Sequence, residues 1–501
     1  MTQAPSIHRK LSLLSFTFAH LFCVTGILAA QSTTPVPATA IVRISTDTFT
    51  NSSSQHASEV EPDTYSFGST IVSAFQVGRI FSGGGADIGY ATSTDSGKTW
   101  ANGFLPGITV NRGGHFSAVS DASVAYDAKH GIWMINSLPI GNTGNQISVS
   151  RSTDGKTWAN PVTVSSIGSP DKNWIVCDNT PTSKFYGNCY VEWDDTSLGD
   201  QEEMNVSTDG GLSWKPAQAT ADRVSGIGGQ PLVLKNGTVV VPFAAFDGNM
   251  RVFSSTNGGA TWGASTVAAR ATDHGVNGGL RTSSLPSGEI DGSGKIYLVW
   301  QDCRFRSGCS ANDIVMTTSV DGKKWTPVAR IPIDATNSGI DHFIPGIGVD
   351  HATSGATAHL GLAYYYYTNT NCSQATCKLN VGFVSSQNGG ATWSASTQLA
   401  GPMSLNNLPN TFSGLMVADY ISVSYAGGKA YPVFAVANAK KAGKLDQAMY
   451  TSSVGLLASA GPEFSSANDR PVPNAKSDHP QWEWLDLDHE HKRPPQRRAA
   501  K

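Results

Sequence analysis

The chain has 501 residues, of which 52 are glycine and only 15% are charged. This composition is typical of turn-rich globular folds and argues against a coiled coil or a disordered chain. Because the formal net charge is only −3, no field of one sign exists to attract a polyanion, which argues against a general nucleic-acid binder.

Residues 1–30 have the pattern of a secretory signal peptide. A basic start at Arg9 precedes an apolar stretch from Leu11 to Leu28, which is followed by small residues. No other run is long enough to cross a bilayer. We therefore expect a secreted protein, extracellular or periplasmic, without a membrane span.

Six cysteines remain outside this segment and lie in close pairs. The pairs are Cys177 with Cys189, Cys303 with Cys309, and Cys372 with Cys377. In an exported protein such pairs favour loop-closing disulfides. Zinc is the alternative, but the pairs lack the two-residue spacing typical of structural zinc sites. We expect neither a metal nor a cofactor.

A short motif recurs six times: Ser, any residue, Asp or Asn, a turn containing Gly, then Trp. The copies span Ser93–Trp100, Ser152–Trp158, Ser207–Trp214, Ser255–Trp262, Ser319–Trp325 and Ser386–Trp393. Their tryptophans are 48 to 68 residues apart, and short strand-like runs fill the intervals. A period of about 50 residues holding roughly four strands is typical of a propeller blade.

The motif itself predicts a hairpin turn. Asp or Asn with Gly supplies the positive-φ conformation, the Ser hydroxyl and the carboxylate bond local backbone amides, and the Trp packs beneath. These copies resemble the Asp-box (BNR) repeat of the sialidase-like β-propellers, over about residues 67–398. The resemblance implies an all-β propeller of four-stranded blades. It also implies that the boxes lie between outer strands, away from the substrate funnel, so their acidic residues are not expected to be catalytic.

Three strand-like runs follow the last box, at 421–425, 430–437 and 448–453. The β-prone segment 40–49 would supply a fourth strand and close the last blade. We therefore predict seven blades over residues 40–460, with six as the alternative. A disordered tail is predicted at 461–501, where Pro, Asp, Lys and Arg accumulate.

The innermost strands of a propeller line its central funnel, so polar residues at their starts are candidate site residues. In chain order these are Glu59, Glu61, Asp121, Asp171, Lys172, Gln230, Arg281, Glu289, Asp341, His342, Asp419 and Tyr420. Most of these side chains are acidic. Glycoside hydrolysis usually needs two facing carboxyl groups, one to protonate the leaving oxygen and one to activate water or attack carbon.

Two segments resemble site segments of sialidases. Glu289, followed by Arg304, resembles the family's glutamate and arginine, and Tyr420 resembles its nucleophile. The resemblance implies that Glu289 acts as the base for the Tyr420 hydroxyl, while arginines bind the sugar carboxylate. Arg79 is a candidate for the first arginine. The third has no counterpart, because no arginine lies between residues 330 and 470.

The other candidates come from the same set. Asp87, just before the first box, and Asp419 join Glu289 and Tyr420 as catalytic candidates. The substrate-binding candidates are Arg79, Arg281, Arg304, Asp121, Asp341 and His342. Structural interpretations stay open for several of them: Asp419 with Tyr420 could cap a strand, Arg304 could pair at the surface, and His342 could be a core histidine.

The sequence favours a secreted, monomeric, sialidase-like glycoside hydrolase that acts on a carbohydrate or glycoconjugate. A non-catalytic glycan- or protein-binding propeller is the alternative and would explain the absent third arginine. A polysaccharide lyase is the third hypothesis, in which Tyr420 or His342 would abstract the proton beside a uronate carboxylate.

Overall fold

Antiparallel β-strands form nearly all of the regular structure in the computed structural model, which describes residues 40–459, 469–473 and 475–477. The predicted signal peptide and most of the predicted tail lie outside the described residues. The strands fall into seven antiparallel groups of four, which we name sheets A to G in the order of their first strands. Sheets A and B are also joined at one position, where Gly85 of sheet A pairs with Val119 of sheet B.

Each sheet runs from its first to its fourth strand in order. The first strands, from A to G, are Glu59–Phe67, Ala118–Asp127, Pro170–Cys177, Gly226–Ile227 with Leu232–Val233, Ser287–Ile290, Asp341–Val349 and Ser422–Ala426. The second strands are Thr70–Arg79, Ile132–Ile140, Cys189–Asp195, Val239–Ala245, Ile296–Asp302, Leu360–Tyr367 and Lys429–Ala437.

The outer strands follow the same order. The third strands are Gly85–Ser93, Ile147–Ser152, Gln201–Ser207, Asn249–Ser255, Asp313–Ser319, Lys378–Ser386 and Gln447–Ser452. The fourth strands are Ala101–Phe104, Val162–Ser165, Gln218–Ala219, Thr266–Arg270, Ala329–Arg330, Thr397–Ser404 and Ile41–Arg43.

A few short elements complete the described chain. Leu456–Leu457 pairs with the second strand of sheet G, and Asn410–Thr411 pairs with Gly414–Leu415 as a small hairpin. The 3₁₀ helices are Val110–Arg112, Thr196–Leu198, Ser307–Cys309, Gly355–Thr357 and Leu405–Asn407. Within the described ranges, no helix has the length and apolar character to span a membrane.

The last sheet takes its fourth strand from the beginning of the described chain. Ile41 pairs with Ser452 and Arg43 with Tyr450, and Ile44 N donates to Met449 O at 2.9 Å. Main-chain hydrogen bonds therefore join the two ends of the strand-containing region.

Apolar side chains lie between successive sheets, because both faces of most strands are covered. Every residue of Ile296–Asp302, with the sequence IYLVWQD, is buried, and such a continuous apolar run is typical of a strand covered on both faces. One core, between sheets A and B, contains Ile88 and Trp133. Another, between sheets F and G, contains Phe343 and Phe434. Neighbouring sheets are thus stacked face to face.

The six Asp boxes connect the third and fourth strands of sheets A to F. In sheet C, Ser207 Oγ accepts a hydrogen bond from Gly211 N at 2.9 Å, and Asp209 Oδ1 accepts one from Ser213 N at 3.0 Å. The equivalent pair of bonds occurs in each of the other five boxes. These bonds confirm the predicted turn chemistry.

The first box also fixes a contact between distant sheets. Gly97 has a φ of 78°, which favours glycine, and a Cβ there would lie 2.1 Å from the Tyr431 ring. The Tyr431 hydroxyl donates to Ser96 O at 2.6 Å. The turn of sheet A therefore lies directly on the second strand of sheet G.

The three predicted disulfides are formed. Cys177–Cys189 joins paired residues of the first and second strands of sheet C, and the Cys303–Cys309 and Cys372–Cys377 bonds close short loops. Cross-links of this kind restrict the unfolded chain.

Part of the segment expected to be a disordered tail is among the described residues. Val472 N donates to Arg304 O at 2.7 Å, and Asp273 N donates to Ser477 Oγ at 3.0 Å. Residues 469–473 and 475–477 therefore lie against the loops that flank sheet E.

The box hydrogen bonds give a test of the architectural role. Because Asp209 accepts bonds from two backbone amides and two hydroxyls, we expect Asp209→Ala to lower the free energy of unfolding by about 1 kcal/mol. Thr208→Ala, at the neighbouring exposed residue, is the matched control and should change it by less than about 0.5 kcal/mol. Urea denaturation measures both. Equal effects would contradict the role of the carboxylate.

Candidate functional site

The first strands of sheets A, B and C carry the same irregularity near their starts. In each, two residues face one residue of the second strand, which is a β-bulge and turns a side chain out of the regular alternation. The first bulge residue has a positive φ: 56° at Glu61, 46° at Asp121 and 41° at Lys172. A non-glycine residue in such a conformation costs about 1–3 kcal/mol. Three charged side chains are therefore held in strained positions.

The Lys172 ammonium group joins these three bulges to sheet G. Its Nζ lies 3.1 Å from Glu61 Oε1, 3.2 Å from Asp121 Oδ1 and 2.6 Å from Asp419 Oδ2. Only 7% of the Lys172 side chain is exposed, and the three carboxyl groups are buried as well. One cation thus links three carboxyl groups that come from three other sheets or their loops.

A second cation binds the same aspartate. Arg281, in the loop before sheet E, donates from Nε to Asp419 Oδ1 at 2.8 Å and from Nη2 to Asp419 Oδ2 at 2.5 Å. Its Nη1 donates to Ser413 Oγ at 3.0 Å. This two-pronged geometry is the strong form of an arginine–carboxylate pair.

Two residues of the second strand of sheet A, Gln76 and Arg79, form a hydrogen-bonded chain that ends at Glu61. The Gln76 amide donates to the Glu61 carboxyl group and also to Ser120 Oγ, the latter at 2.9 Å. Gln76 Oε1 accepts a hydrogen bond from Arg79 Nη1 at 2.9 Å. Arg79 therefore contacts the charged cluster through Gln76.

Burial and neighbouring charges set the pKa values of the cluster. Burial raises the pKa of Glu61 to about 8, and the charges of Asp419 and Asp121 add to this, against the opposing charge of Lys172. Burial also acts to raise the pKa of Asp419, but Arg281 and Lys172 outweigh it and hold that pKa well below its usual range. Burial is the main cause of the raised pKa of Asp121.

Lys172 stays charged in the same surroundings. Burial acts to lower its pKa, but the three carboxyl groups outweigh burial and raise it well above the usual value. Lys172 and Arg281 therefore both pair with Asp419, which stays ionised, whereas burial raises the pKa of Asp121 and Glu61. Glu61 retains its proton at neutral pH.

The cluster forms the floor of an open cavity of about 350 Å³. Glu61, Asp121, Lys172, Arg79 and Arg281 line it. Its rim comes from two glycine-containing loops, at residues 82–84 and 141–145. The carboxyl groups can therefore be reached by a small molecule from this side. We call this space the first cavity.

Tyr420 lies directly beneath the cluster. Its ring centroid is 5.6 Å from Lys172 Nζ and 5.1 Å from the Trp174 ring, and its hydroxyl donates to Ala122 O at 3.4 Å. Burial, followed by the nearby negative charges, raises the pKa of Tyr420 well above its usual value. Its hydroxyl group therefore stays protonated.

A second cavity, of about 240 Å³, lies further along the first strands. Trp174, Asp63 and Gln230 line it, together with Glu289 and His351. His351 Nε2 lies 3.7 Å from Glu289 Oε2. The structure thus places Glu289 in a different cavity from the one whose floor holds Lys172 and its carboxyl partners.

Two other candidates lie away from both cavities. Asp87 is buried on the third strand of sheet A, and burial raises its pKa well above the usual value. Arg304 pairs with Asp302, with Nε 2.8 Å from Oδ1 and Nη2 2.6 Å from Oδ2. That pairing is the structural interpretation left open from the sequence.

Asp341 and His342 belong to the first strand of sheet F. Asp341 Oδ1 accepts a hydrogen bond from Asn312 N at 2.8 Å, and burial raises the Asp341 pKa to about 7. His342 is buried, and its ring lies 5.4 Å from the Tyr364 ring, centroid to centroid. Neither lines the first cavity.

The surroundings of His342 include one group of potential metal ligands, formed with Asp313 and Asp334. Both carboxylates are already paired with Arg306 and Arg330, at 2.6 to 2.8 Å. Two guanidinium charges therefore balance the negative charge that would attract a cation.

The structure brings five of the sequence-predicted site residues together around the first cavity: Arg79, Asp121, Arg281, Asp419 and Tyr420. Glu61, Asp171 and Lys172 join them from the wider set of strand-start residues. Sequence reasoning missed Gln76 and Trp174. A long polar side chain between the apolar residues Phe75 and Val77 was the available signal for Gln76, whereas nothing distinguished Trp174 from a core residue.

No family model matches the chain, and no curated protein matches it. Similar solved structures include a protein of unknown function from Dyadobacter fermentans, at 15% identity and a TM-score of 0.42, covering 70% of this chain and 99% of that one. Trypanosoma rangeli sialidase in complex with sialic acid has 12% identity and a TM-score of 0.43, and the match covers 84% of this chain and 60% of the sialidase. An intramolecular trans-sialidase from Ruminococcus gnavus has 11% identity and a TM-score of 0.39, and the match covers 79% of this chain and 94% of the trans-sialidase.

The chain spans 60% of the length of the Trypanosoma rangeli sialidase. Both of the structures named here that have a stated activity are sialidases. At these identities and TM-scores the likenesses carry no argument about the activity of this chain.

The ion cluster gives a stability test. Lys172→Met leaves buried carboxyl groups without their cation, so we expect it to lower the free energy of unfolding by about 3–5 kcal/mol at pH 7. Adding Asp121→Asn should restore part of this loss, because it removes one of the buried carboxyl groups that Lys172 contacts. Lys98→Met, at an exposed lysine, is the matched control. Urea denaturation measures the three variants. A loss in Lys172→Met equal to that in Lys98→Met would contradict the role of Lys172 in pairing the buried carboxyl groups.

The raised carboxyl pKa values predict how stability depends on pH. Burial raises the pKa of Glu61 and Glu202 from 4.5 to about 8, and that of Glu59 to about 7. Between pH 4.5 and 8 the folded state therefore binds more protons than the unfolded state. The free energy of unfolding should fall as pH rises through this window.

Glu202→Gln removes one of these titrating groups. The free energy of unfolding of this variant should therefore fall less steeply with rising pH than that of wild type. Urea denaturation at several pH values across the window measures both slopes. A wild-type stability that rises or stays flat over the window would contradict the burial argument.

Proposed function

We propose that sheets A to G close into a seven-bladed β-propeller, residues 40–460. Three observations support closure between the last sheet and the first. Thr64 Oγ1 lies 2.9 Å from Ser422 Oγ, Ser66 Oγ donates to Tyr425 O at 2.6 Å, and the turn of sheet A lies on Tyr431. The first cavity then lies at one end of the central axis, where the first strands begin.

We infer that the protein is an exported glycoside hydrolase and that the first cavity is its active site. One observation carries this inference: Glu61 and Asp121 lie within 3.2 Å of the same buried Lys172 nitrogen at the floor of an open cavity, where burial raises the pKa of Glu61 to about 8. Carboxyl groups whose surroundings separate their pKa values are typical of acid–base catalysis. A proton donor facing a carboxylate is the arrangement that glycoside hydrolysis needs.

The roles follow from the contacts. Glu61, which shares a hydrogen bond with Asp419, is the general acid that protonates the glycosidic oxygen as the bond to the anomeric carbon breaks. Asp121 is the second carboxyl group and attacks that carbon. Water then replaces Asp121 at the carbon and gives its proton to Glu61. Asp419 stays ionised and positions Lys172.

The separation of the carboxyl groups favours retention of configuration. Glu61 Oε1 and Asp121 Oδ1 both lie within 3.2 Å of one nitrogen, so they lie no further apart than twice that distance. Retaining enzymes hold their carboxyl groups about 5–5.5 Å apart, whereas inverting enzymes need about 6.5–9.5 Å.

A tyrosine nucleophile of the sialidase type is not part of this proposal. It would need a base beside the Tyr420 hydroxyl, and Glu289 lines the other cavity. The first cavity lies near the lower end of the ~300–1,000 Å³ typical of ligand pockets. This size suits the end of a carbohydrate chain, and we propose that the protein acts on it as a monomer.

Export is supported by the three disulfides, which persist mainly in oxidising compartments. The predicted signal peptide agrees with this, and we propose an extracellular or periplasmic location.

A non-catalytic sugar-binding propeller is the second candidate. The contacts of Asp419 favour this candidate. Arg281 binds both oxygens of the Asp419 carboxylate and Lys172 binds one of them, so both oxygens are already occupied. A site built only for binding would tolerate such saturation, since no proton has to move.

The two candidates separate in one experiment. The mature protein is incubated with a panel of fluorogenic glycosides, sialosides included, and kcat/KM is measured for wild type, Glu61→Gln and Asp121→Asn. We expect turnover of at least one glycoside, with each substitution lowering kcat/KM about 100-fold or more. Circular dichroism checks that the variants are folded.

Glu289→Gln, in the second cavity, is the matched control and should keep kcat/KM within about twofold of wild type. Activity that survives Glu61→Gln but disappears in Glu289→Gln would overturn the proposed site. No turnover by folded wild-type protein would favour the binding propeller.

A further inference from the structure

A third cavity lies beside the proposed active site. It is an open groove of about 750 Å³, formed by loops around sheets A, E, F and G. Among its lining residues are His56, Gln374, Asn406, Lys440 and Lys444, and none of the lining residues is acidic. We call it the basic groove.

The charge of the basic groove differs from that of the rest of the molecule. The chain carries a formal −3, and both cavities described above are lined by several carboxyl groups. Lys440 and Lys444 are exposed, and neither makes a salt bridge with another described residue, whereas Lys441 between them pairs with Asp446 at 2.6 Å. The groove therefore presents two uncompensated positive charges.

Side-chain amides provide the remaining polar surface. Gln374 and Asn406 are exposed and hydrogen-bonded to each other at 3.1 Å. Amide groups donate to and accept from sugar hydroxyls equally well. A surface that combines ammonium groups with amides suits a polyhydroxylated anion better than an apolar ligand.

One hairpin separates the basic groove from the first cavity. Its Asn410, Gly414 and Leu415 line the groove, and its Ser413 accepts the hydrogen bond from Arg281 at 3.0 Å. Arg281 N donates to Leu415 O at 2.9 Å, so the loop before sheet E and this hairpin form a single wall. A chain whose end enters the first cavity would cross this wall into the groove.

From this juxtaposition we propose that the substrate is an anionic oligosaccharide. Its terminal sugar enters the first cavity, and its following carboxylate- or sulfate-bearing sugars lie in the basic groove against Lys440 and Lys444. This inference rests on the proposed function for the position of the terminal sugar, whereas the groove itself binds without any chemical step.

The test measures binding, separately from turnover. Isothermal titration calorimetry on the whole mature protein uses a galacturonic acid hexamer, a chondroitin sulfate hexasaccharide and, as the neutral control, maltohexaose. The Lys440→Ala/Lys444→Ala variant is compared with Lys323→Ala/Lys324→Ala, which removes the same charge from two exposed lysines on the sheet E box. A single-stranded DNA hexamer serves as a non-sugar anion.

We expect an anionic hexasaccharide to bind wild type more tightly than maltohexaose. The Lys440→Ala/Lys444→Ala variant should bind it about tenfold more weakly, and the Lys323→Ala/Lys324→Ala variant should match wild type. Binding should weaken between about 50 mM and about 300 mM salt, because exposed charges are screened. Whether the uronate or the sulfated sugar binds more tightly identifies the anionic group.

Equal affinity for maltohexaose and both anionic sugars, equal effects of the two lysine pairs, or equally tight binding of DNA would each overturn the inference. Failure of the proposed function looks different. In that case no glycoside is turned over, yet the Lys440→Ala/Lys444→Ala variant still loses affinity for the anionic hexasaccharide.

Discussion

The buried ammonium group of Lys172 is the interaction on which the rest of the structure depends. It lies at the start of the first strands, where sheets A, B and C meet the segment that leads into sheet G, and it contacts one carboxyl group from each of the other three. Buried charges are costly unless they are paired. A displaced strand would leave a buried charge on a neighbouring strand without its partner, so the positions of these strands depend on one another. The strained bulges at Glu61, Asp121 and Lys172 place three of the charged side chains in this network, although the same bulge also occurs at Ile344 in sheet F, outside the network.

The same constraint supplies the proposed chemistry. Burial raises the pKa of Glu61 to about 8 against the opposing charges of Lys172 and Arg79, so this carboxyl group keeps its proton at neutral pH. The arrangement therefore combines a buried ion cluster with a proton donor at the floor of a cavity. The basic groove lies beside this cavity, on the other side of the 410–415 hairpin.

Local features of the sequence predicted much of the fold. The Asp boxes and the three disulfides depend on residues within about a dozen positions of each other, so spacing alone indicated them. The pairing of residues 41–43 with sheet G was also foreseen, because the last group of strands lacked one member.

The site was harder to predict, because its contacts join residues far apart in sequence. Lys172 and Asp419 are separated by 247 positions, and no local pattern shows which strand-start residues will meet. Bulges shift the alternation of a strand by one residue, so neither Glu61 nor Lys172 could be singled out from its neighbours. Resemblance placed Glu289 beside Tyr420, whereas the strand of sheet E carries Glu289 further along, into the second cavity.

The protonation state of Glu61 tests the central claim most directly. The chain has only nine glutamates, so selective ¹³C labelling of the glutamate carboxyl carbon gives few resonances, and Glu61→Gln assigns the one of interest. NMR titration of the mature protein should show this carboxyl group losing its proton near pH 8. A Glu61 carboxyl group that is already ionised at pH 6 would contradict the account.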